Sequence, residues 1–300
     1  VSPYLLMCII GFSYISSFSA ITPLIALYAR ENIGASVAEV GFIGSAYFVA
    51  AAVSKLLVGA MAGGRRTLYI FLISFLAFSL SPTAYTLTGH LPLLMVSRII
   101  HGFAFTFVGA SATTFISLSV PRADREEGVG TFTAAQALGF MAGPGVTTLG
   151  IVAIGVRNAF YLATVFGLIG FIAAIVLVGR LYSIESRWLL LAEARSGVEY
   201  WRKMSRTFMN KTFITAFLSE FAFFFLFGIM LAYGPVYGRE RLGFSSEHVG
   251  LLFFAHYALT AGVRIPLGRM IRRRRIGKEG LLLLGLLVTT ALAFVMAWVE

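Results

Sequence analysis

The chain has 300 residues, of which 58% are hydrophobic and 12% are charged, and its formal net charge is +11. A soluble domain carries about 25% charged residues, so the composition excludes a compact water-soluble fold of this size. The basic residues stand in short clusters between long apolar runs, which excludes a nucleic-acid-binding face as the origin of the positive charge.

Nine apolar runs are long enough to cross the hydrocarbon core of a bilayer, which takes about 20 residues of helix. The sequence therefore predicts an all-α polytopic membrane protein. In chain order, the predicted spans cover 3–29, 39–61, 68–87, 92–119, 129–153, 159–180, 212–237, 247–268 and 280–299. The single cysteine, Cys8, lies in the first span, and neither a disulfide framework nor a metal site is predicted.

The connection at 182–211 is the one long polar segment between predicted spans. It combines basic residues with Trp188 and Trp201, a mixture that suits a helix in the membrane interface and equally a solvated linker. Placing the N-terminus in the cytoplasm puts 17 of the 24 basic residues on inner connections and four on outer ones. This bias predicts a multi-pass protein of the plasma membrane with a cytoplasmic N-terminus.

The sequence matches itself when it is shifted by 209 residues. The matching positions pair Tyr28 with Tyr237, Arg30 with Arg239, Glu31 with Glu240, Gly34 with Gly243, Ser36 with Ser245, Val40 with Val249, Gly41 with Gly250, Lys55 with Arg264 and Gly59 with Gly268. Six spans separate the copies, so both copies enter the membrane in the same sense and form a parallel repeat.

This layout of six spans, a long cytoplasmic linker and further spans resembles the major facilitator superfamily. The resemblance implies the major facilitator fold, with two six-helix bundles in a parallel repeat and the second bundle truncated. It implies an N-terminal bundle over 1–181, a linker over 182–211 and the first three helices of the C-terminal bundle over 212–300. The chain would then be a fragment covering about nine of twelve helices, with a native truncation as the alternative.

The loop after the second span carries part of a family motif. Where the family has Gly-x-x-x-Asp-Arg-x-Gly-Arg-Arg, this chain keeps the Gly and the Arg pair but lacks the Asp, and the second-half counterpart lacks it too. Two basic residues also occupy matching positions near the inner ends of spans two and eight, where they could snorkel to the interface. The resulting gating or structural candidates are Lys55, Gly59, Arg65, Arg66, Arg264 and Gly268.

Two further motifs lie within spans four and five. Arg98-Ile-Ile-His101-Gly resembles the family's Arg-x-x-Gln-Gly element, with His in place of Gln. Span five resembles the Gly-x-x-x-Gly-Pro element of exporters, although the Gly pair that follows it in the family is absent. Small residues there predict a close helix contact and the proline predicts a bend. The candidate residues for this contact are Gly139, Gly143, Pro144 and Gly145.

Ionisable side chains within spans are costly in lipid, so each is a candidate functional residue. Glu220 is the one acid well inside a span and could carry a proton, or be a structural acid paired with an arginine. Arg98 could bind an anion or brace its helix. His101 lies one turn later on the same face, where it could transfer a proton or pack as a neutral ring.

The resemblance also implies that spans one, four and seven line the substrate cavity. Span one is rich in hydroxyl groups and span seven in phenylalanine, a combination that suits an amphipathic compound, while lipid contact is the alternative for the aromatic rings. The cavity candidates are Ser13, Tyr14, Ser16, Ser17 and Phe224.

The sequence therefore predicts a secondary active transporter that moves a small organic solute, with proton-coupled efflux of amphipathic compounds as the leading hypothesis. Uptake of a nutrient or an organic anion by the same fold is the alternative. An intramembrane enzyme or receptor is the alternative of another class, but no paired carboxylates or nucleophile constellation supports it. We expect the lipid bilayer, a small-molecule substrate and protons as partners, no cofactor and no nucleic acid, and a monomer.

Overall fold

The computed structural model describes residues 3–61, 66–119, 125–182 and 205–272, with position 202 and scattered positions between 280 and 291. The long helices of this part of the chain are α1 (Pro3–Glu31), α2 (Val37–Met61), α3 (Arg66–Leu87), α4 (Leu91–Ser119), α5 (Arg125–Tyr182), α6 (Lys211–Glu240) and α7 (Ser246–Arg272). Within these ranges there is no β-strand. The predicted all-α fold is therefore confirmed for the described residues.

Helix α5 contains two antiparallel arms rather than one continuous rod. Its 58 residues would extend about 87 Å as a straight helix, while the hydrocarbon core is only about 30 Å thick. The break falls at Gly155, whose φ of 79° and ψ of 164° are not helical. Gly150 lies against the side chain of Leu162, although a straight helix would separate them by about 18 Å. The arms coincide with the predicted spans 129–153 and 159–180.

Five helices of the described residues, α1 to α5, are long and apolar enough to cross a membrane, and α5 is long enough to cross twice. The helices α6 and α7 coincide with the predicted spans 212–237 and 247–268. Most of the predicted ninth span at 280–299, and most of the predicted linker at 182–211, lie outside the described residues. The prediction of eight of the nine spans is thus matched by observed helices.

Helix α1 lies at the centre of the packing. In its most apolar part 72% of the residues are buried, against 33% in α2 and 44% in α3. The side chains that pack around α1 form two apolar clusters, one towards each end of the helix. The cluster nearer to Glu31 includes Tyr28, Tyr85 and Phe160, and Val236 joins it from α6. Helix α6 is therefore anchored to the preceding helices at this end.

Small residues bring α5 into direct backbone contact with α1. A Cβ atom at Gly139 would lie 2.5 Å from the carbonyl oxygen of Phe12, and one at Gly143 would lie 2.5 Å from that of Ser16. The hydroxyl of Ser19 on α1 donates a hydrogen bond to the carbonyl of Gly139 across the same interface (3.0 Å). The close contact predicted for this motif is therefore present, because no larger side chain would fit between the two backbones.

We predict that Gly143→Ala destabilises the protein by about 1–3 kcal/mol, since the added methyl group would overlap the hydroxyl of Ser19 and backbone atoms of Ser16 and Ala20. The matched control is Gly130→Ala on the same helix, where a Cβ atom meets nothing within 4 Å. Thermal unfolding of both variants in one detergent provides the measurement. Equal transition temperatures for the two variants would contradict the contact described above.

Candidate functional site

The two sequence repeats fold into the same loop structure. Gly34 and Gly243, which are equivalent in the repeat, both have positive φ, at 76° and 67°. In the first copy the amide of Ala35 donates to the carbonyl of Ala29 (2.9 Å), and in the second copy Phe244 donates to Gly238 over the same distance. Glycine fits both loops because its lack of a Cβ atom removes the steric penalty of positive φ. The predicted repeat is confirmed in these loops.

The arginines of the two copies are held in equivalent ways. One terminal nitrogen of Arg30 donates to the carbonyl of Ala35 (2.6 Å), and one of Arg239 donates to the carbonyl of Phe244 (3.1 Å). Each arginine thus bonds to the loop that follows its own helix. The Nε–H group of each guanidinium remains available to point towards the other copy.

Each arginine binds the glutamate of the other copy. The Nε of Arg30 donates to Oε1 of Glu240 (2.6 Å), and the Nε of Arg239 donates to Oε1 of Glu31 (2.9 Å). Both contacts are also ion pairs, and between 29% and 44% of each of these side chains is exposed. We call these four residues the outer ion-pair cluster, because the basic-residue bias predicts that this end of the molecule faces outside.

Further contacts join the two sets of helices below the outer ion-pair cluster. A Cβ atom at Gly41 of α2 would collide with the hydroxyl of Tyr233 of α6. Gly145 on α5 approaches Phe254 of α7, where a Cβ atom would lie 3.1 Å from the ring. The ring of Phe140 on α5 also stacks on a tyrosine of α7 (5.2 Å between centroids). The helices α1, α2 and α5 therefore meet α6 and α7 through closely packed surfaces.

The opposite part of α6 is exposed. All the described side chains between positions 214 and 225 are exposed. They include Phe217, Phe221 and Phe225, whose rings stack one helical turn apart with centroids 6.3 Å and 6.1 Å from each other. The contacts with α1 and α2 begin nearer to the outer end of the helix, at positions such as Ala232, Tyr233 and Val236.

A buried polar cluster lies between α2, α3 and α4. The guanidinium carbon of Arg98 lies 4.4 Å from the ring centre of Tyr47. Arg98 also donates to the carbonyl of Ile43 (3.4 Å) and to the hydroxyl of Tyr85 (3.5 Å). The same Tyr85 hydroxyl is 2.6 Å from Nδ1 of His101. Only 6% of Arg98 is exposed, so its charge is bound by protein groups rather than by solvent.

Two atoms of this buried polar cluster have no hydrogen-bond partner among the described residues. They are the hydroxyl of Tyr47 and Nε2 of His101. The contacts of Arg98 within the described residues include no acidic side chain. The cluster therefore carries one permanent positive charge, balanced by a carbonyl, a hydroxyl and two aromatic rings.

The predicted cavity hydroxyls of α1 are buried among helices. Ser13, Tyr14, Ser16 and Ser17 are each at most 3% exposed. The hydroxyl of Tyr14 donates to the carbonyl of Phe105 on α4 (2.7 Å), and the two rings stack with centroids 4.9 Å apart. Tyr14 thus joins α1 to α4, whereas the hydroxyls of Ser16 and Ser17 bind no protein group within the described residues. Their contact with a substrate stays a prediction.

The other predicted site residues are spread over both sets of helices. Phe224 is 56% exposed on α6, and Glu220 lies on the same helix with its side chain outside the described residues. Lys55 and Arg66 are exposed, at the facing ends of α2 and α3. Pro144 is buried within α5 next to the contact with α1. The surroundings of Gly59, Arg65, Arg264 and Gly268 lie outside the described residues.

Sequence reasoning did not single out the partners of Arg98 or the role of the repeat. Tyr47 and Tyr85 carry no sequence signal, because aromatic residues at helical spacing in an apolar span are usually packing residues. The outer ion-pair cluster did have a signal. An Arg-Glu pair that recurs at equivalent positions in two facing repeats can pair across the symmetry axis, and the two copies here do so.

Among known proteins, curated relatives include proteins of drug resistance. "Multidrug resistance protein 2" of Bacillus subtilis is 24% identical over 257 residues, which are 83% of this chain and 62% of that protein. The "Tetracenomycin C resistance and export protein" of Streptomyces glaucescens is 24% identical over 59% of this chain and 33% of its own length. The "Quinolone resistance protein NorA" of Staphylococcus aureus is 26% identical over 53% of this chain and 40% of its own length. The chain thus spans less than two thirds of these relatives.

Solved transporter structures share the fold. A POT family transporter in complex with a thioalcohol-conjugated peptide superposes with a TM-score of 0.67 over 92% of this chain and 70% of that chain, at 14% identity. A bacterial homologue of the human lysosomal transporter Spinster, in an inward-facing and unoccupied conformation, superposes with a TM-score of 0.61. The superposition covers 88% of this chain and 60% of that chain, at 16% identity. The family model of the Major Facilitator Superfamily matches residues 7–300. With this match over nearly its whole length, the chain belongs to the Major Facilitator Superfamily of membrane transporters.

Proposed function

We propose that the full-length protein exports small amphipathic organic compounds by alternating access and couples their export to protons. The observation that carries the proposal is the uneven contact along α6. This helix packs on α1 and α2 near its outer end, while its described side chains between 214 and 225 are exposed. Helices that meet at one end and stand apart at the other have the arrangement that alternating access requires in one of its two states.

The substrate class rests on the relatives and on the surface of α6. Three drug-resistance proteins match half of this chain or more. The exposed rings of Phe217, Phe221 and Phe224 offer apolar surface of the kind that lines binding sites for drug-sized compounds. The hydroxyls of Ser16 and Ser17, which bind no described protein group, could hydrogen-bond the polar part of such a compound. We therefore propose that Phe224, Ser16 and Ser17 contact the substrate.

Uptake of an organic anion is less favoured because Arg98 is buried among protein groups. An anion would need a guanidinium at the surface of a cavity, and only 6% of Arg98 is exposed. Arg98 instead lies over the ring of Tyr47 and donates to a backbone carbonyl and to Tyr85. It braces α4 against α2 and α3, and in this proposal it positions helices and does not bind the substrate.

Proton coupling is assigned to Glu220 rather than to His101. A proton on His101 would add a second positive charge to a cluster that already holds Arg98 and contains no acid among the described residues. Like charges that are close together in a poorly solvated site repel each other strongly. We therefore propose that His101 stays neutral and orients Tyr85. Glu220 can alternate between the neutral and the charged form, which is what a proton carrier must do.

The six helical passages over 1–181 would form one bundle, 182–211 a cytoplasmic linker, and 212–300 the start of a second bundle. The protein would be a monomer of the plasma membrane with its N-terminus in the cytoplasm. It would have neither enzymatic activity nor a cofactor, because its work is to move a solute.

We predict that Glu220→Gln abolishes substrate-driven proton movement while substrate binding is retained, because the amide cannot release a proton. The full-length protein is reconstituted in liposomes that contain a pH-sensitive dye, and lipophilic cations are added as candidate substrates. The control is Glu127→Gln, which removes an exposed acid near the start of α5. Equal proton flux in the wild type and in Glu220→Gln would remove Glu220 from the mechanism.

We predict losses of stability of different size for two tyrosines that both contact Arg98. Tyr85→Phe should lower the free energy of unfolding by about 1–3 kcal/mol. The substitution removes the hydroxyl that binds both a donor of Arg98 and a ring nitrogen of His101, and both groups are buried. Tyr47→Phe should cost less than about 1 kcal/mol, because the ring remains and its hydroxyl binds no described group. Thermal unfolding tests both, and a larger loss for Tyr47→Phe would contradict the arrangement.

A further inference from the structure

The outer ion-pair cluster joins four residues from equivalent positions of the two repeats. We propose that it is a two-fold symmetric latch, which holds the outer end closed and must open each time the transporter exposes its substrate site outwards. The inference rests on the proposed alternating access. It adds a gate built from Arg30, Glu31, Arg239 and Glu240, none of which was a candidate site residue from the sequence.

The crossed connections make the cluster a contact between the repeats. Arg30 and Glu31 end α1, and Arg239 and Glu240 end α6, so both ion pairs link α1 to α6 and neither closes within one helix. Any movement that separates the outer ends of α1 and α6 must therefore break both pairs. A contact within one helix would survive such a movement.

A hydrogen bond to the loop after its own helix orients each arginine towards its glutamate partner. Arg30 donates to the carbonyl of Ala35, and Arg239 to that of Phe244, and neither bond involves a glutamate, so we expect both bonds to persist when the ion pairs break. The guanidinium groups are thus oriented before the latch closes, so less side-chain freedom is lost when the glutamates bind. When the latch opens, each arginine keeps one hydrogen bond and each glutamate is hydrated.

The outer ion-pair cluster covers an apolar layer that would be wetted by opening. Leu27 and Val236 line the same depression as the four charged residues. They are also equivalent in the repeat, and they are only 1% and 5% exposed. Access of a reagent to either position therefore reports whether the outer end is open.

The expected strength of the latch follows from its exposure. Partly exposed ion pairs contribute little each, and the two pairs together should favour the closed state by about tenfold. Such a bias makes the closed state more populated and still allows the outer end to open. Screening by salt should weaken the latch, because the Debye length falls from about 10 Å at 0.1 M to about 3 Å at 1 M.

The test measures how fast a cysteine beneath the latch reacts with a charged maleimide. The full-length protein, with Cys8 and any cysteine outside these 300 residues replaced by serine and with Val236→Cys, is placed in lipid nanodiscs so that the reagent reaches both faces. A second reporter, Leu27→Cys, repeats the measurement from the other copy. Neither a substrate nor a proton gradient is needed, so the outcome is independent of whether Glu220 couples protons and of whether the substrate is exported.

Two double variants with the same net charge distinguish an effect of the ion pairs from an effect of the net charge. Arg30→Glu with Glu240→Arg exchanges the partners of one pair and keeps both pairs attractive. Arg30→Glu with Glu31→Arg places like charges opposite each other at both pairs. Glu240→Gln removes one pair without repulsion, and Arg241→Gln is its control, since the exposed Arg241 forms no ion pair among the described residues.

We expect the like-charge variant to react about tenfold faster than the wild type and the exchanged variant to stay within about twofold. In Glu240→Gln the reporter cysteine should react with the maleimide about two- to fivefold faster than in Arg241→Gln. In 1 M salt the cysteine of the wild type should react faster than at low salt. Salt should not change the rate in a variant in which Glu31 and Glu240 are both Gln. That double variant also replaces the like-charge variant if the latter does not fold. Equal rates for the like-charge and exchanged variants, or for Glu240→Gln and Arg241→Gln, would overturn the latch.

Discussion

The backbone contact between α5 and α1 is the interaction on which the rest of the structure depends. In lipid, apolar side chains gain little by leaving their surroundings, so helices associate through close packing and hydrogen bonds. Gly139 and Gly143 allow both, since α5 approaches the backbone of α1 and Ser19 donates to the carbonyl of Gly139. With α1 fixed in this way, α3 also packs on α5, and α4 packs on α2 and α3. The end of α1 presents Arg30 and Glu31 towards α6.

The duplication explains why the contact at the outer end is crossed. When two equivalent loops face each other across a two-fold axis, residue i of one copy meets residue j of the other, and the reverse pair forms automatically. Arg30 with Glu240 and Arg239 with Glu31 are such a pair of pairs. The two loops have the same backbone conformation, including the positive φ of Gly34 and Gly243. One short sequence, used twice, thus supplies both halves of a symmetric contact.

Much of the fold was predictable because long apolar runs and turn residues determine where helices begin and end. The span boundaries and the repeat followed from those patterns. The environment of each side chain did not, since a helix that is apolar all round gives no sign of which face meets lipid and which meets protein. The sequence identified Arg98 and His101 but not Tyr85, the hydroxyl between them, which comes from another helix. For the same reason, the buried position of Tyr14 against Phe105 could not be foreseen.

The two charged clusters suit different tasks because their solvation differs. Arg98 is buried, and moving its charge would break its hydrogen bonds to the carbonyl of Ile43 and the hydroxyl of Tyr85 and its contact with the ring of Tyr47, so that cluster is suited to staying intact. The outer ion-pair cluster is partly exposed, so water can replace each partner when it opens. A transporter must visit both of its states, and a ligand can only shift that equilibrium by its difference in affinity for them. A closed state favoured by a small factor can be overcome by substrate or proton binding, whereas fully buried ion pairs at the same place would hold the outer end shut.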